Sequence, residues 1–87
     1  MAIERLGPYK IQQTLGRGGM GTVYAGVNES SGETAAVKVL SSVLATNDAF
    51  RERFEAEIET LKTLKHPNIV QLYGYGEQDG HLFYVME

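Results

Sequence analysis

Six consecutive residues, Gly16-Arg17-Gly18-Gly19-Met20-Gly21, hold glycine at the first, third and sixth places. Glycine lets a backbone come close to a polyphosphate, and main-chain N–H groups in such a loop can point at its oxygens. Alone the pattern is weak, since a flexible glycine hairpin with no ligand has the same composition. The residues after the loop discriminate. A dinucleotide-binding loop opens a helix whose N-terminus takes the pyrophosphate. Here Thr22-Val23-Tyr24-Ala25-Gly26-Val27 comes next, rich in β-branched and aromatic residues, and reads as a strand. The loop is therefore expected to be a hairpin turn that covers phosphates as a flap. The Walker pattern G-x-x-x-x-G-K-[ST] is absent.

A lone lysine stands in the run Ala35-Ala36-Val37-Lys38-Val39-Leu40. Strand alternation puts Ala36, Lys38 and Leu40 on one face and Ala35, Val37 and Val39 on the other. Lysine is rarely buried without a partner; the plain alternative is an edge-strand lysine whose head reaches water. A second anomaly sits further on. Between Asp48 and Lys65 the large apolar residues Phe50, Phe54, Ile58, Leu61 and Leu64 are spaced 4, 4, 3 and 3, the stripe of an amphipathic helix. At about 100° per residue, with Phe50 at zero, Phe54 falls near 40°, Leu61 near 20° and Glu57 near −20°. A carboxylate in the middle of an apolar stripe is costly unless paired, so a cation should meet Glu57. It could also be a carboxylate at the rim of the helix interface. An inward Lys38 on the sheet and an inward Glu57 on the helix explain each other, and the pair would fix the ammonium as a point charge for phosphate oxygens.

The elements that must position these residues are set by Gly and Pro punctuation at Gly7-Pro8, Gly16 to Gly21, Ser30-Ser31-Gly32, Pro67-Asn68 and Gln78-Asp79-Gly80. Five strands are expected: Tyr9 to Leu15, Thr22 to Asn28, Glu33 to Leu40, Val70 to Tyr75 and His81 to Glu87. Tight turns between them imply antiparallel pairing. The helix is expected from Asp48 to Lys65, with Asn47 or Asp48 as N-cap, and His66-Pro67 ends it because proline disfavours helical geometry before it. Three strands, one helix and two strands make an α+β fold, a five-stranded antiparallel sheet with one main helix on one face, in a single domain over residues 1–87.

Composition bounds the function. Eight Lys and Arg against eleven Asp and Glu give a net charge of −3, which argues against a nucleic-acid-binding patch. There is no Cys, which excludes a disulfide framework and a cysteine-built zinc site and fits a reducing compartment. No apolar run is long enough for a membrane span, and Met-Ala-Ile-Glu-Arg lacks the features of a signal peptide, so a cytoplasmic location is expected.

Taken together, Leu15-Gly-Arg-Gly-Gly-Met-Gly-Thr-Val23, Ala36-Val37-Lys38, Glu57, and His66-Pro67-Asn68-Ile69-Val70, nine residues beyond Glu57, are similar to the N-terminal lobe of a eukaryotic-type serine/threonine protein kinase. The wording Gly-Arg-Gly-Gly-Met-Gly most resembles the bacterial branch. The resemblance runs from Tyr9 to Glu87. It implies that Gly16, Arg17, Gly18, Gly19, Met20 and Gly21 form the loop over the ATP phosphates, with Thr22 just beyond. It implies that Leu15, Val23 and Ala36 supply apolar walls around adenine, that Lys38 binds the α- and β-phosphates, and that Glu57 orients Lys38. Leu61 and Leu72 would belong to a hydrophobic spine coupling helix to sheet, Met86 would be the gatekeeper, and Glu87 the first hinge residue, accepting from adenine through its carbonyl.

The resemblance implies ATP and Mg2+ as cofactors and a protein substrate as partner. The chain holds no match to the catalytic loop H-R-D-x-x-x-x-N or to D-F-G: neither His66 nor His81 is followed by Arg-Asp. The substrate and magnesium sites are thus expected in a second lobe outside these residues, and no phosphoryl transfer is expected from them alone. Apolar surface under the glycine loop and near Phe54 and Leu61 would favour a homodimer of the isolated lobe. The competing reading is a non-catalytic nucleotide-binding or partner-binding, pseudokinase-like module.

Overall fold

The computed structural model of the chain describes residues 4–18, 21–63 and 72–87. Its elements arise from local signals. Strand β1 (Arg5–Leu6) turns at Gly7, whose φ is +57°, into β2 (Tyr9–Arg17), which runs antiparallel to β3 (Thr22–Asn28) across the glycine loop. Asn28 shapes the next turn, its side-chain oxygen accepting from the backbone N–H groups of Ser30 and Ser31, and β4 (Thr34–Leu40) comes after it. One helical turn, α1 (Ser42–Ala45), is capped by the Ser41 hydroxyl, which accepts from the Leu44 N–H at 3.3 Å. Helix α2 (Asp48–Thr63) starts at Asn47, whose side chain accepts from the Ala49 N–H at 3.0 Å, so Asn47 is the cap. The last hairpin joins β5 (Leu72–Gln78) to β6 (His81–Met86).

Among the described residues the sheet has six strands, one more than expected, all antiparallel, in the order β1-β2-β3-β4-β6-β5. The added strand, β1, is two residues long, below the length at which alternation is visible. The final hairpin is tighter than the expected Glu77 to Gly80 turn. Asp79 and Gly80 both take positive φ, +53° and +82°, the geometry of a two-residue primed turn, so pairing continues to Gln78 and His81. The expected His66-Pro67 helix stop and the strand start at Val70 lie outside the described residues, as does Leu64.

The two faces of β4 divide as alternation predicts. Ala35, Val37 and Val39 pack with Leu6, Phe83 and Val85 on one face. Leu40 packs with Ala45, Phe54, Ile58, Leu82 and Tyr84 on the other, against α2. The sheet curls until its edges are bridged: the Gln78 side chain in β5 accepts from the Gly7 N–H at 3.0 Å and donates to the Arg5 carbonyl at 2.8 Å. Phe54, expected on an exposed apolar patch, is instead fully buried; among the described residues the large exposed apolar side chains are Leu15, Val43, Tyr73 and Tyr75.

Candidate functional site

Cross-strand register builds the site in rows. Val23 of β3 stands opposite Lys38 of β4, and Lys38 opposite Tyr84 of β6. In the neighbouring row Ala25, Ala36, Met86 and Leu72 lie side by side on β3, β4, β6 and β5. Residues directly opposite share a face, so Val23, Ala36, Lys38, Tyr84 and Met86 occupy the face on which α2 packs. Helix α2 delivers Glu57 between the buried Phe54 and Ile58.

Lys38 Nζ donates to both Glu57 oxygens, at 3.0 Å to Oε1 and 3.2 Å to Oε2. The side chains of Lys38 and Glu57 are 22% and 33% exposed, so the pair is shielded from water but open on one side. The cation that the helical position of Glu57 demanded is Lys38. Tyr84 is a third member that sequence reasoning missed. Its hydroxyl donates to Glu57 Oε1, and Lys38 Nζ lies 5.9 Å from the centre of its ring. Burial, and then the hydrogen bond to the Glu57 carboxylate, push the Tyr84 phenol well above its ordinary range.

The glycine loop is pinched at its neck by the Arg17–Thr22 pair and by the Gly18 N–H donating to the Gly21 carbonyl at 2.8 Å. Gly19 and Met20 lie outside the described residues. The remaining glycines differ in what demands them. A Cβ on Gly21 would sit 2.6 Å from the Val39 carbonyl oxygen, so close approach to β4 requires glycine there. A Cβ on Gly16 would meet nothing within 4 Å, and one on Gly18 would only touch the Gly21 oxygen at 3.9 Å. Leu15 is the extra residue of a β-bulge between Thr14 and Gly16, and it is 55% exposed. Bulges re-aim side chains, and this one leaves a large apolar residue beside the loop.

Not every expected residue reaches the Lys38 face. Thr22 stands opposite Val39, on the strand face away from Lys38, and with Gly18, Gly21, Tyr24, Ser41 and Leu44 it lines a cleft of about 120 Å³. Arg17 is exposed. Leu61, Leu72 and Met86 pack against the cluster containing Phe54 and Tyr84, and Glu87 is exposed just past β6. Among the described residues no group of three His, Asp or Glu could hold a metal ion, and no helix is long and apolar enough to cross a membrane.

The signal that could have found Tyr84 is the alternation of Leu82, Tyr84 and Met86, which puts the hydroxyl on one face of β6. It becomes useful only once β6, rather than β5, is known to dock on β4.

The protein kinase domain model matches residues 9–87. Serine/threonine-protein kinase PknH of Mycobacterium tuberculosis is 39% identical over 80 residues, 92% of this chain and 13% of that protein. PknE of the same organism is 35% identical over 79 residues, 91% of this chain and 14% of the relative. The crystal structure of the M. tuberculosis PknI kinase domain superposes with a TM-score of 0.74 at 35% identity, covering all of this chain and 36% of that one. The chain thus spans about a seventh of these full-length relatives and about a third of a solved kinase domain. A glycine hairpin, a strand lysine and an inward helical glutamate occur here in that family's order, and the chain belongs to the protein kinase family.

Proposed function

We propose that this chain is the ATP-binding lobe of a serine/threonine protein kinase, which moves the γ-phosphoryl group of ATP to a protein serine or threonine hydroxyl, with ADP and the hydroxyl proton released. The observation that carries the reading is the Lys38–Glu57 pair, joined through both carboxylate oxygens on the face beside the glycine hairpin. An ammonium held this way keeps one of its three N–H donors for an incoming oxyanion. Gly16 and Gly18 support it, since among the described residues no neighbour requires them to lack side chains, and a phosphate lying close to the backbone would.

In this reading Lys38 holds the α- and β-phosphates and Glu57 fixes Lys38. The backbone of Gly16 to Gly21 covers the phosphates, including Arg17, Gly19 and Met20. Leu15, Val23, Ala36 and Met86 exclude water around adenine, and the Glu87 carbonyl accepts from its amino group. Thr22, on the opposite side of the sheet, contributes through its backbone only. Mg2+, when bound, would neutralise charge on the phosphates, and its ligands are expected in a second lobe outside these residues. The 87 residues by themselves, with no H-R-D sequence, are expected to give no transfer. Self-association of the isolated chain through apolar surface by the glycine loop, where Leu15 is exposed, is the expected partner behaviour; a concentration-independent monomer mass in light scattering would remove that expectation.

The test is ATP binding by the full-length protein, measured by calorimetry in MgCl2. Lys38→Met is expected to abolish saturable binding or weaken it at least about tenfold, as loss of a charge-assisted contact should. Gly16→Ala should weaken binding while the melting temperature stays put, and Gly21→Ala should lower the melting temperature itself. Wild-type protein that binds no ATP, or binds it equally well as Lys38→Met, would sink the reading. Binding without transfer to any protein hydroxyl would leave the non-catalytic module.

A further inference from the structure

The Lys38–Glu57 pair is built from two flexible side chains, each partly in reach of water. An ion pair of that kind gains little on its own, because holding two long side chains in one geometry costs entropy. Tyr84 is different. It is 2% exposed, its ring packs on Phe54 with centroids 5.3 Å apart, and its strand is paired on both sides, with Lys38 and with Tyr75. With only two side-chain torsions, both fixed by packing, its hydroxyl has a set position. That hydroxyl meets Glu57 Oε1, the oxygen that also accepts from Lys38 at 3.0 Å.

Packing does not explain the hydroxyl. Tyr84 sits in a buried run, Leu82 to Val85, whose other members are Leu, Phe and Val. A phenylalanine would fill the same space, and a buried hydroxyl is unfavourable unless it has a partner. Its hydrogen-bond partner is Glu57, which α2 brings in.

We propose that Tyr84 is a positioning residue of this site: its hydroxyl anchors the Glu57 carboxylate, and through it holds the Lys38 ammonium where a nucleotide phosphate can meet it. The inference rests on the reading of the face as a nucleotide site. It also couples helix to sheet, since any outward movement of α2 that withdraws Glu57 strips Tyr84 of its partner. A phenol that instead competed with Lys38 for the carboxylate would act in the opposite direction, and the sign of the effect separates the two roles.

The experiment is a double-mutant cycle in the full-length protein, with ATP affinity in MgCl2 measured for wild type, Tyr84→Phe, Glu57→Ala and the double variant, beside Lys38→Met as reference. Tyr84→Phe keeps the ring against Phe54 and removes only the hydroxyl. It should weaken ATP binding by about tenfold, the order of one lost hydrogen bond to a charged group. In the Glu57→Ala background the same change should alter affinity less than about twofold, because the hydroxyl acts through Glu57. A merely structural tyrosine would shift the melting temperature in both backgrounds and leave the affinity ratio between them unchanged. Tighter binding by Tyr84→Phe, affinity within about twofold of wild type, or an equal loss in both backgrounds would each overturn the proposal. If Lys38→Met weakens binding and Tyr84→Phe does not, the nucleotide site stands and this role of Tyr84 falls. If Lys38→Met binds as wild type does, both fall together.

Discussion

A phenol locked against a carboxylate has a consequence that does not involve nucleotide at all. Burial, and then the neighbouring Glu57 oxygen, disfavour the Tyr84 phenolate, so the folded chain holds that proton to higher pH than the unfolded chain, where tyrosine ionises at about 10. The charged groups that meet Tyr84 are Lys38 from β4 and Glu57 from α2. Below the unfolded value both states keep the proton and the hydroxyl's contribution to stability is complete. As pH rises past it, the unfolded state releases the proton first, and stability is lost until the folded value is reached. Urea unfolding from about pH 8 to 11 should therefore show the wild type falling toward Tyr84→Phe above about pH 10. A difference between the two that stays constant through that range would show that the hydroxyl is not held as described. At this scale the sequence was half legible. Glu57 betrays itself by an angle on a helix, which needs only local geometry. Tyr84 does not, because its meaning depends on which strand docks beside Lys38, and strand order is a long-range property.

At the scale of elements, the legible part is whatever carries a long local pattern. Helix α2 announces itself through the spacing of Phe50, Phe54, Ile58 and Leu61, and the structure buries Phe54 and Ile58 accordingly. Its outer faces are tied down by polar contacts the pattern does not reveal: Arg51 donates to Glu77 of β5 at 2.8 Å, and Lys62 to the Tyr75 hydroxyl at 3.2 Å. Both cations are held above their usual range, Arg51 chiefly by Glu77 and Lys62 chiefly by Tyr75. These contacts are exposed and contribute little each; the apolar stripe and the start of the helix matter more. Asn47 satisfies the Ala49 N–H, and Asn47→Ala should cost about 1 kcal/mol in chemical denaturation. Asp48→Ala should cost less, since Asp48 lies inside the first turn and only its charge acts there. Equal losses would mean that the helix begins one residue later than the hydrogen bonds place it. The elements that escaped the sequence are β1 and α1, two and four residues long. Neither shows a repeating pattern, and each exists because tertiary contacts complete it: Leu6 is buried among Val37 and Phe83, and Ala45 among Phe54 and Leu82.

At the scale of the whole molecule, the described residues form one sheet that serves two cores. Strands β4 and β6 contribute to both, Val37, Val39, Phe83 and Val85 to the first, and Leu40, Leu82 and Tyr84 to the second. The site lies on the second face, so the first is left to hold the sheet's curvature, with Leu6 beneath strands whose far edges Gln78 ties together. The division makes a prediction about cooperativity. Leu6→Ala removes a fully buried side chain from one face, and Phe54→Ala removes one from the other; large-to-small changes of this kind cost about 2–5 kcal/mol. The two residues belong to different clusters, separated by the sheet, so their costs should add to within about 0.5 kcal/mol in the double variant. Both should nevertheless move a single transition, because neither core survives without β4 and β6. Only Phe54→Ala should loosen Tyr84 and Glu57, so only it should weaken ATP binding under conditions where both variants remain folded. Two separate melting steps would show that the faces unfold independently. A loss of ATP affinity in Leu6→Ala as large as in Phe54→Ala would show that the site depends on the curvature of the sheet rather than on the helix packed against it.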